Sequence, residues 1–141
     1  MEYLYAFLAG FISTLTFHQG TLFALHKAGL WPKPPYPMTP TEPFKIPAVI
    51  SLALWGGVWG IAAWFLIRGI SGADYWIYAT LFGAIGPSLV ALFMVFPLKG
   101  LPMAGGWDPK VIVPVLILNG AWGLGVALFC FLSPLAGRGL G

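Results

Sequence analysis

Stretches without a charged residue make up most of the chain, and short charged or proline-rich segments separate them. Four such stretches cover residues 3–26, 46–67, 75–98 and 111–137. A helix that crosses a bilayer needs about 20 consecutive apolar residues, so each stretch is long enough. The pattern predicts an all-α fold, a four-helix transmembrane bundle. Its spans, numbered one to four, cover about residues 3–27, 46–69, 75–97 and 109–132.

The connection between spans one and two is rich in proline, since seven of the thirteen prolines lie at residues 32–47. Proline lacks a backbone N–H and restricts the residue before it, so this segment is predicted to be extended. We expect an ordered connector at the membrane surface; the alternatives are a lid over a cavity and a docking strand for another protein. Before span four, Asp108 and Pro109 predict a helix start, as N-cap and first helical residue.

Composition agrees with a membrane protein. Only 8% of the residues are charged and 59% are hydrophobic, whereas soluble domains contain about 25% charged residues. The four spans use most of the 141 residues, so we expect a single integral membrane domain at residues 1–141. No basic patch lies outside the loops, which argues against a nucleic-acid partner.

Basic residues are distributed unevenly between the two ends of the predicted bundle. Five lysines lie in the two long loops and two arginines lie on the opposite side. The lysines are Lys27, Lys33, Lys45, Lys99 and Lys110, and the arginines are Arg68 and Arg138. The positive-inside rule then places both loops in the cytoplasm and both termini on the non-cytoplasmic side. We expect the bacterial inner membrane as the location.

Spans two and four share a short motif. Gly57, Trp59 and Gly60 recur 63 residues later as Gly120, Trp122 and Gly123. The recurrence predicts two tandem helix-hairpin repeats, at about residues 1–70 and 71–141. Each unit has two spans, so both copies have one orientation and are related by a pseudo-two-fold axis along the membrane normal.

The glycines of this motif predict close helix contacts. Gly56, Gly57 and Gly60 lie on one face of span two, and Gly120 and Gly123 occupy the matching face of span four. Small residues let helix backbones approach each other in a membrane. We expect the two faces to pack against each other, flanked by their tryptophans; an interface between protomers is the alternative.

Span one is the most polar of the four. Thr14, His18 and Thr21 lie on one face, and Gln19 and His26 lie on the neighbouring face. Ionisable residues inside a span usually face the bundle interior and often mark function. We expect His18 near the middle of the membrane, with Asn119 of span four as its hydrogen-bond partner, directly or through a water.

Four roles compete for this polar face. The first role is to hold helices together by hydrogen bonds, and the second is to line a path for protons or a small molecule. Haem ligation is a third role, although His18 and His26 are about 12 Å apart along one helix and cannot both ligate one haem within one chain. Binding of a quinone or a lipid head group is the fourth.

Motifs for catalysis or metal binding are absent from the sequence. The four acids lie at span ends or in loops, and they are Glu2, Glu42, Asp74 and Asp108. Cys130 is a single cysteine in an apolar span and reads as a small buried hydrophobe. We therefore expect no enzymatic activity and no cofactor. The sequence favours an accessory subunit or a homo-oligomer, surrounded by lipid or part of a larger membrane complex; the alternative is a proton-linked or small-molecule transporter or channel.

Overall fold

The computed structural model describes residues 1–135, and 75% of these residues are helical. The first helix comprises Glu2–Ser13, a π-helical segment Thr14–His18 and Gln19–Lys27, without a break. The second helix is Ala48–Ile67, the third is Ala73–Leu98 and the fourth is Pro109–Leu132. The third contains a second π-helical segment, Ala91–Val95. These bounds confirm the predicted all-α architecture; Arg138 lies outside the described residues.

Three of these helices are long and apolar enough to cross a membrane, namely the second, third and fourth. The first helix is not among them, because its threonines, histidines and Gln19 lower its mean hydropathy. Its role as span one therefore stays a prediction.

The first and second helices form an antiparallel pair, the first hairpin, with their backbones in close contact. A Cβ atom placed on Gly60 would lie 2.6 Å from the carbonyl oxygen of Ala6 and 2.8 Å from Cα of Gly10. A Cβ on Gly57 would collide with the ring of Phe7. Any side chain at these glycines would therefore separate the two helices.

The third and fourth helices form the second hairpin with the same kind of contact. A Cβ on Gly83 would lie 2.8 Å from Cα of Gly123, and a Cβ on Gly123 would collide with the carbonyl of Ala79. The expected packing of spans two and four on each other is therefore wrong. Each glycine face packs on the preceding helix, because Gly10 and Gly83 provide the small partner surface there.

The fourth helix also joins the two hairpins, by contact with the first helix. The Ser13 hydroxyl donates to the carbonyl of Trp122 at 2.7 Å, and the Trp122 indole N–H donates to the carbonyl of Gly10 at 3.1 Å. A Cβ on Gly125 would meet the ring of Phe17 at 2.7 Å. The fourth helix is accordingly the most buried of the three apolar helices, and the third is the least.

Two apolar clusters fill the two ends of the bundle. One contains Trp64 and Tyr75 from either side of the turn between the second and third helices. The other contains Leu92, Ala104 and Val115, with Trp31 of the first loop packed against it. The shared cluster shows that the two long loops lie at the same end.

The first loop, residues 28–47, is ordered against the second helix. Pro40–Thr41 and Ile46–Pro47 pair as a short antiparallel β-hairpin. Backbone N–H groups of Ala48 and Val49 donate to the carbonyls of Thr39 and Pro37, at 2.9 and 2.8 Å, so the loop satisfies donors of the first helical turn. The second loop, residues 99–108, ends as predicted: Asp108 accepts from the backbone N–H of Lys110 at 2.9 Å and caps the fourth helix.

Candidate functional site

The polar side chains of the first helix begin at its middle, where the helix changes from α to π geometry. The Thr14 hydroxyl donates to the carbonyl of Gly10 at 2.9 Å, and that of Thr16 donates to Ile12 at 2.8 Å. Threonines that bond four residues back compete with the helical hydrogen bonds and often bend a helix. The π-helical segment Thr14–His18 starts at the first of them.

Thr14 lies in the contact of the first hairpin. It is buried, and a Cβ on Gly56 would lie 3.2 Å from its own Cβ. Ser13, also buried, faces the fourth helix through its bond to Trp122. Both hydroxyls are thus held between helices. Sequence reasoning missed Ser13, although its position beside Thr14 places a second hydroxyl at the same depth.

One turn further on, Gln19 connects the first helix to the proline-rich loop. Its side chain is buried, and its amide nitrogen lies 3.0 Å from Nδ1 of His18. Its carbonyl oxygen accepts from the backbone N–H of Tyr36 at 2.7 Å. Since the amide NH₂ can only donate, Nδ1 of His18 accepts and the neutral ring carries its proton on Nε2.

Tyr36 binds the same segment a second time. Its hydroxyl donates to the carbonyl of Leu15 at 2.7 Å, inside the π-helical segment. Its backbone is left-handed, with φ of 56°, a conformation uncommon for a residue other than glycine. We call Tyr36, Gln19 and Leu15 the latch. Sequence reasoning missed this role of Tyr36; its place between Pro35 and Pro37, which restrict the chain, was the available signal.

The expected hydrogen bond between His18 and Asn119 is not formed. The Asn119 amide donates to the hydroxyl of Ser88 at 2.9 Å, and Ser88 donates to the carbonyl of Val115 at 3.4 Å. Gly83 of the third helix packs against the backbone of the fourth helix at Asn119, so this residue faces the third helix. His18 instead pairs with its neighbour Gln19, and the structure does not bring the two predicted polar groups together.

The remaining predicted polar residues lie towards the loop end. Thr21 is partly buried one turn beyond His18. His26 is also partly buried, and its Nδ1 lies 3.0 Å from the carbonyl of Trp31. Because a carbonyl only accepts, Nδ1 carries the proton there. His26 therefore fixes the first turn of the loop, and the two histidines act at different places.

The opposite end has a polar network that the sequence did not predict. The Trp64 indole donates to the carboxylate of Glu2 at 2.6 Å, and Arg68 binds the same oxygen at 3.1 Å. Between the third and fourth helices, the Tyr75 hydroxyl donates to the carbonyl of Ala127 at 2.7 Å. An open hollow nearby is lined by Ser71, Gly72, Ala73, Tyr75, Trp76 and Phe131.

Buried polar atoms are satisfied throughout residues 1–135: every buried side-chain nitrogen or oxygen there has a hydrogen-bond partner. Within the same range, no three histidine, cysteine or acidic side chains are grouped so as to hold a metal ion. No protein-family model, curated protein or solved structure matches the chain. Any inference about function therefore depends on the contacts within the chain.

Proposed function

We propose that this chain is an integral membrane protein with four spans that works without catalysis, as an accessory subunit or a homo-oligomer. The proposal rests on the hydrogen bonds of the deep polar side chains. All of them bond to other groups of the bundle, namely Ser13, Thr14, Ser88 and Asn119. In addition, only 17% of the apolar segment of the third helix is buried against the rest of the chain. An apolar helix with so little cover is suited to contact lipid or another membrane subunit.

Two equivalent sets of contacts support a tandem repeat. Gly10 against Gly60 matches Gly83 against Gly123, with offsets of 73 residues in the first helices of the pairs and 63 in the second. The same offsets relate the contact of Glu2 with Trp64 to that of Tyr75 with Ala127. Residues 3–12 and 76–85, YLYAFLAGFI and WIYATLFGAI, are alike at this offset. We infer one hairpin unit used twice, in the same orientation.

The length of the second helix sets the membrane depth of the latch. Its 20 residues rise about 30 Å, which equals the thickness of a bilayer core. Tyr36 adjoins Pro37, which bonds to Val49 at the start of this helix, so Gln19 lies near that boundary. This proposal puts His18 closer to the cytoplasmic boundary than the mid-membrane position expected from the sequence.

Orientation is tested by a reporter fused after Gly141 that is active only outside the cytoplasm. The five lysines at the loop end predict an active fusion. A second fusion within the first loop, after Phe44, is the matched control and should be inactive. An active loop fusion together with an inactive terminal fusion would show that the orientation is opposite to the one proposed.

Assembly is tested by native mass measurement of the full chain in mild detergent, followed by cross-linking in intact membranes. An accessory or oligomeric role predicts a discrete species larger than one chain of 15.2 kDa. The same species should appear with both methods. A monomer in both, with no cross-linked product in the membrane, would contradict the proposal.

A proton-linked path is the second candidate, and the π-helical segment Thr14–His18 favours it, since such segments are frequent at functional sites. His18 at its end has the proton-accepting chemistry a path requires. Proteoliposomes with an enclosed pH dye test this. Transport predicts a proton flux that His18→Leu abolishes and that Thr16→Val retains, whereas the accessory role predicts no flux from any of the three proteins.

A further inference from the structure

Each of the four helices has a lysine close to the end that carries the long loops. Lys27 is the last residue of the first helix, Lys45 lies three residues before the second, Lys99 follows the third, and Lys110 is the second residue of the fourth. Lys33 lies in the loop between the first two, and all five side chains are exposed. We call these five residues the lysine collar.

Helix electrostatics explain only two of the five lysines of the collar. Lys27 and Lys99 lie at helix C-termini, where the helix dipole favours a positive charge. Lys45 and Lys110 lie at helix N-termini, where the dipole disfavours one. The helix dipole therefore does not account for a positive charge at these two positions; Lys45 is paired with Glu42, and an anion from outside the chain would compensate Lys110.

The acidic residues at this end are already engaged. Glu42 forms a salt bridge with Lys45, three residues away, and Asp108 caps the fourth helix. Within residues 1–135, Lys27, Lys33 and Lys99 form no salt bridge. At the opposite end, by contrast, Arg68 is paired with Glu2. Five lysines against these two acids leave the collar with an excess of positive charge, and three of its lysines have no salt-bridge partner in the described chain.

Large apolar side chains lie among these lysines. Phe44, beside Lys45 in the β-hairpin loop, is 80% exposed, and Trp107, beside the start of the fourth helix, is 67% exposed. Leu98, next to Lys99, is also exposed. Apolar side chains next to exposed cations suit the boundary between acyl chains and head groups, where both find their preferred surroundings.

We propose that the lysine collar binds the phosphate groups of anionic phospholipids, with Phe44 and Trp107 inserted between the lipids. This rests on the proposed membrane location and names the lipid class at its cytoplasmic surface. A lysine near an anionic surface contributes about 1 kcal/mol, equivalent to about fivefold in binding per residue. Charge complementarity selects anionic over zwitterionic lipids, and it does not require a particular head group.

The test uses the full chain in vesicles of equal parts phosphatidylglycerol and phosphatidylcholine, extracted mildly and analysed for retained lipid by native mass spectrometry. The wild-type chain should retain phosphatidylglycerol preferentially. Lys33→Gln with Lys99→Gln should reduce that preference at least tenfold, and the same pair changed to Arg should keep it. Arg68→Gln, at the opposite end, should leave it unchanged.

Equal retention of both lipids by the wild-type chain, or an unchanged preference in the Gln pair, would overturn the inference. If soluble glycerophosphoglycerol displaced the lipid completely, binding would be to a free phosphodiester, which also contradicts it. Carbonate extraction of the membranes separates this failure from that of the proposed function. If the chain resists extraction but shows no lipid preference, only the lipid-binding inference is contradicted. If the chain is released, the proposed membrane location is contradicted as well.

Discussion

The two hairpins of the molecule share their helix contact and differ in their loops. Gly10 meets Gly60 in the first, and Gly83 meets Gly123 in the second, in the same geometry. Residues 28–47 connect the first pair, whereas residues 99–108 connect the second with half as many residues. The longer loop contains Tyr36, which forms the latch with Gln19 and Leu15 of the first helix; within residues 1–135, the second hairpin has no counterpart of it. The close contact thus belongs to the common architecture, and the latch is a specific addition to one copy.

The largest expected effect is at the shared contact. Gly60→Leu and Gly123→Leu should destabilise the protein by similar amounts, because both place a side chain against backbone atoms of the facing helix. Overpacking costs about 1–3 kcal/mol and sometimes more. Thermal unfolding in detergent measures the loss of stability of each variant.

Gly20→Leu is the control for that experiment, since nothing lies within 4 Å of a Cβ at Gly20. It should retain wild-type stability. If Gly60→Leu were destabilising and Gly123→Leu were not, the two hairpins would not be equivalent and the repeat would lose its main support.

A smaller effect is expected at the latch. Gln19→Leu removes the acceptor of the Tyr36 N–H, and since Tyr36 is exposed and water can replace that acceptor, the cost is about 0.5–1.5 kcal/mol. Hydrogen exchange should accelerate at residues 28–47 and stay unchanged at residues 99–108. Thr41→Val removes a hydrogen bond within the exposed β-hairpin and is the control. Equal acceleration in both loops would mean that Gln19 stabilises the whole bundle, not the latch.

Lengths of apolar sequence were sufficient to predict the four helices, because a bilayer or a bundle of this size imposes a minimum length on each. Helix partners were not predictable in the same way. The motif at Gly57 and Gly60 shows that a close contact exists, but the partner depends on Gly10, a single glycine with no motif around it. Asn119 was expected to meet His18, because depth alone was considered and the rotation of the helix was unknown. Tyr36 was missed because a loop has no periodicity.

Equivalent positions need not be equally crowded, and Gly57 and Gly120 test this difference. A Cβ on Gly57 would collide with the ring of Phe7, whereas one on Gly120 would lie 3.5 Å from Cβ of Ala84. Gly57→Ala should therefore lower stability by about 1 kcal/mol, partly relieved by movement of the ring. Gly120→Ala should be neutral or slightly stabilising, since alanine favours the helix. Chemical denaturation of the two variants in parallel checks this, and a larger loss at Gly120 would contradict the described packing.

The smallest expected effect is at Asn119, which occupies the position of Gly56 in the second copy. Its amide donates to Ser88 across the second hairpin, and Ser88 in turn donates to Val115. Hydrogen bonds between membrane helices contribute about 0.6 kcal/mol on average, because the separated helices also find polar partners. Asn119→Ala and Ser88→Ala should each cost about that amount, and the double variant should cost less than their sum. A double-mutant cycle measures the coupling between the two side chains. Strict additivity would show that the bond does not stabilise the hairpin.

A second cycle, of Asn119→Ala with His18→Ala, tests whether Asn119 is coupled to His18. Coupling would make this cycle non-additive. The observed partners predict that it is additive, since His18 bonds to Gln19 on its own helix.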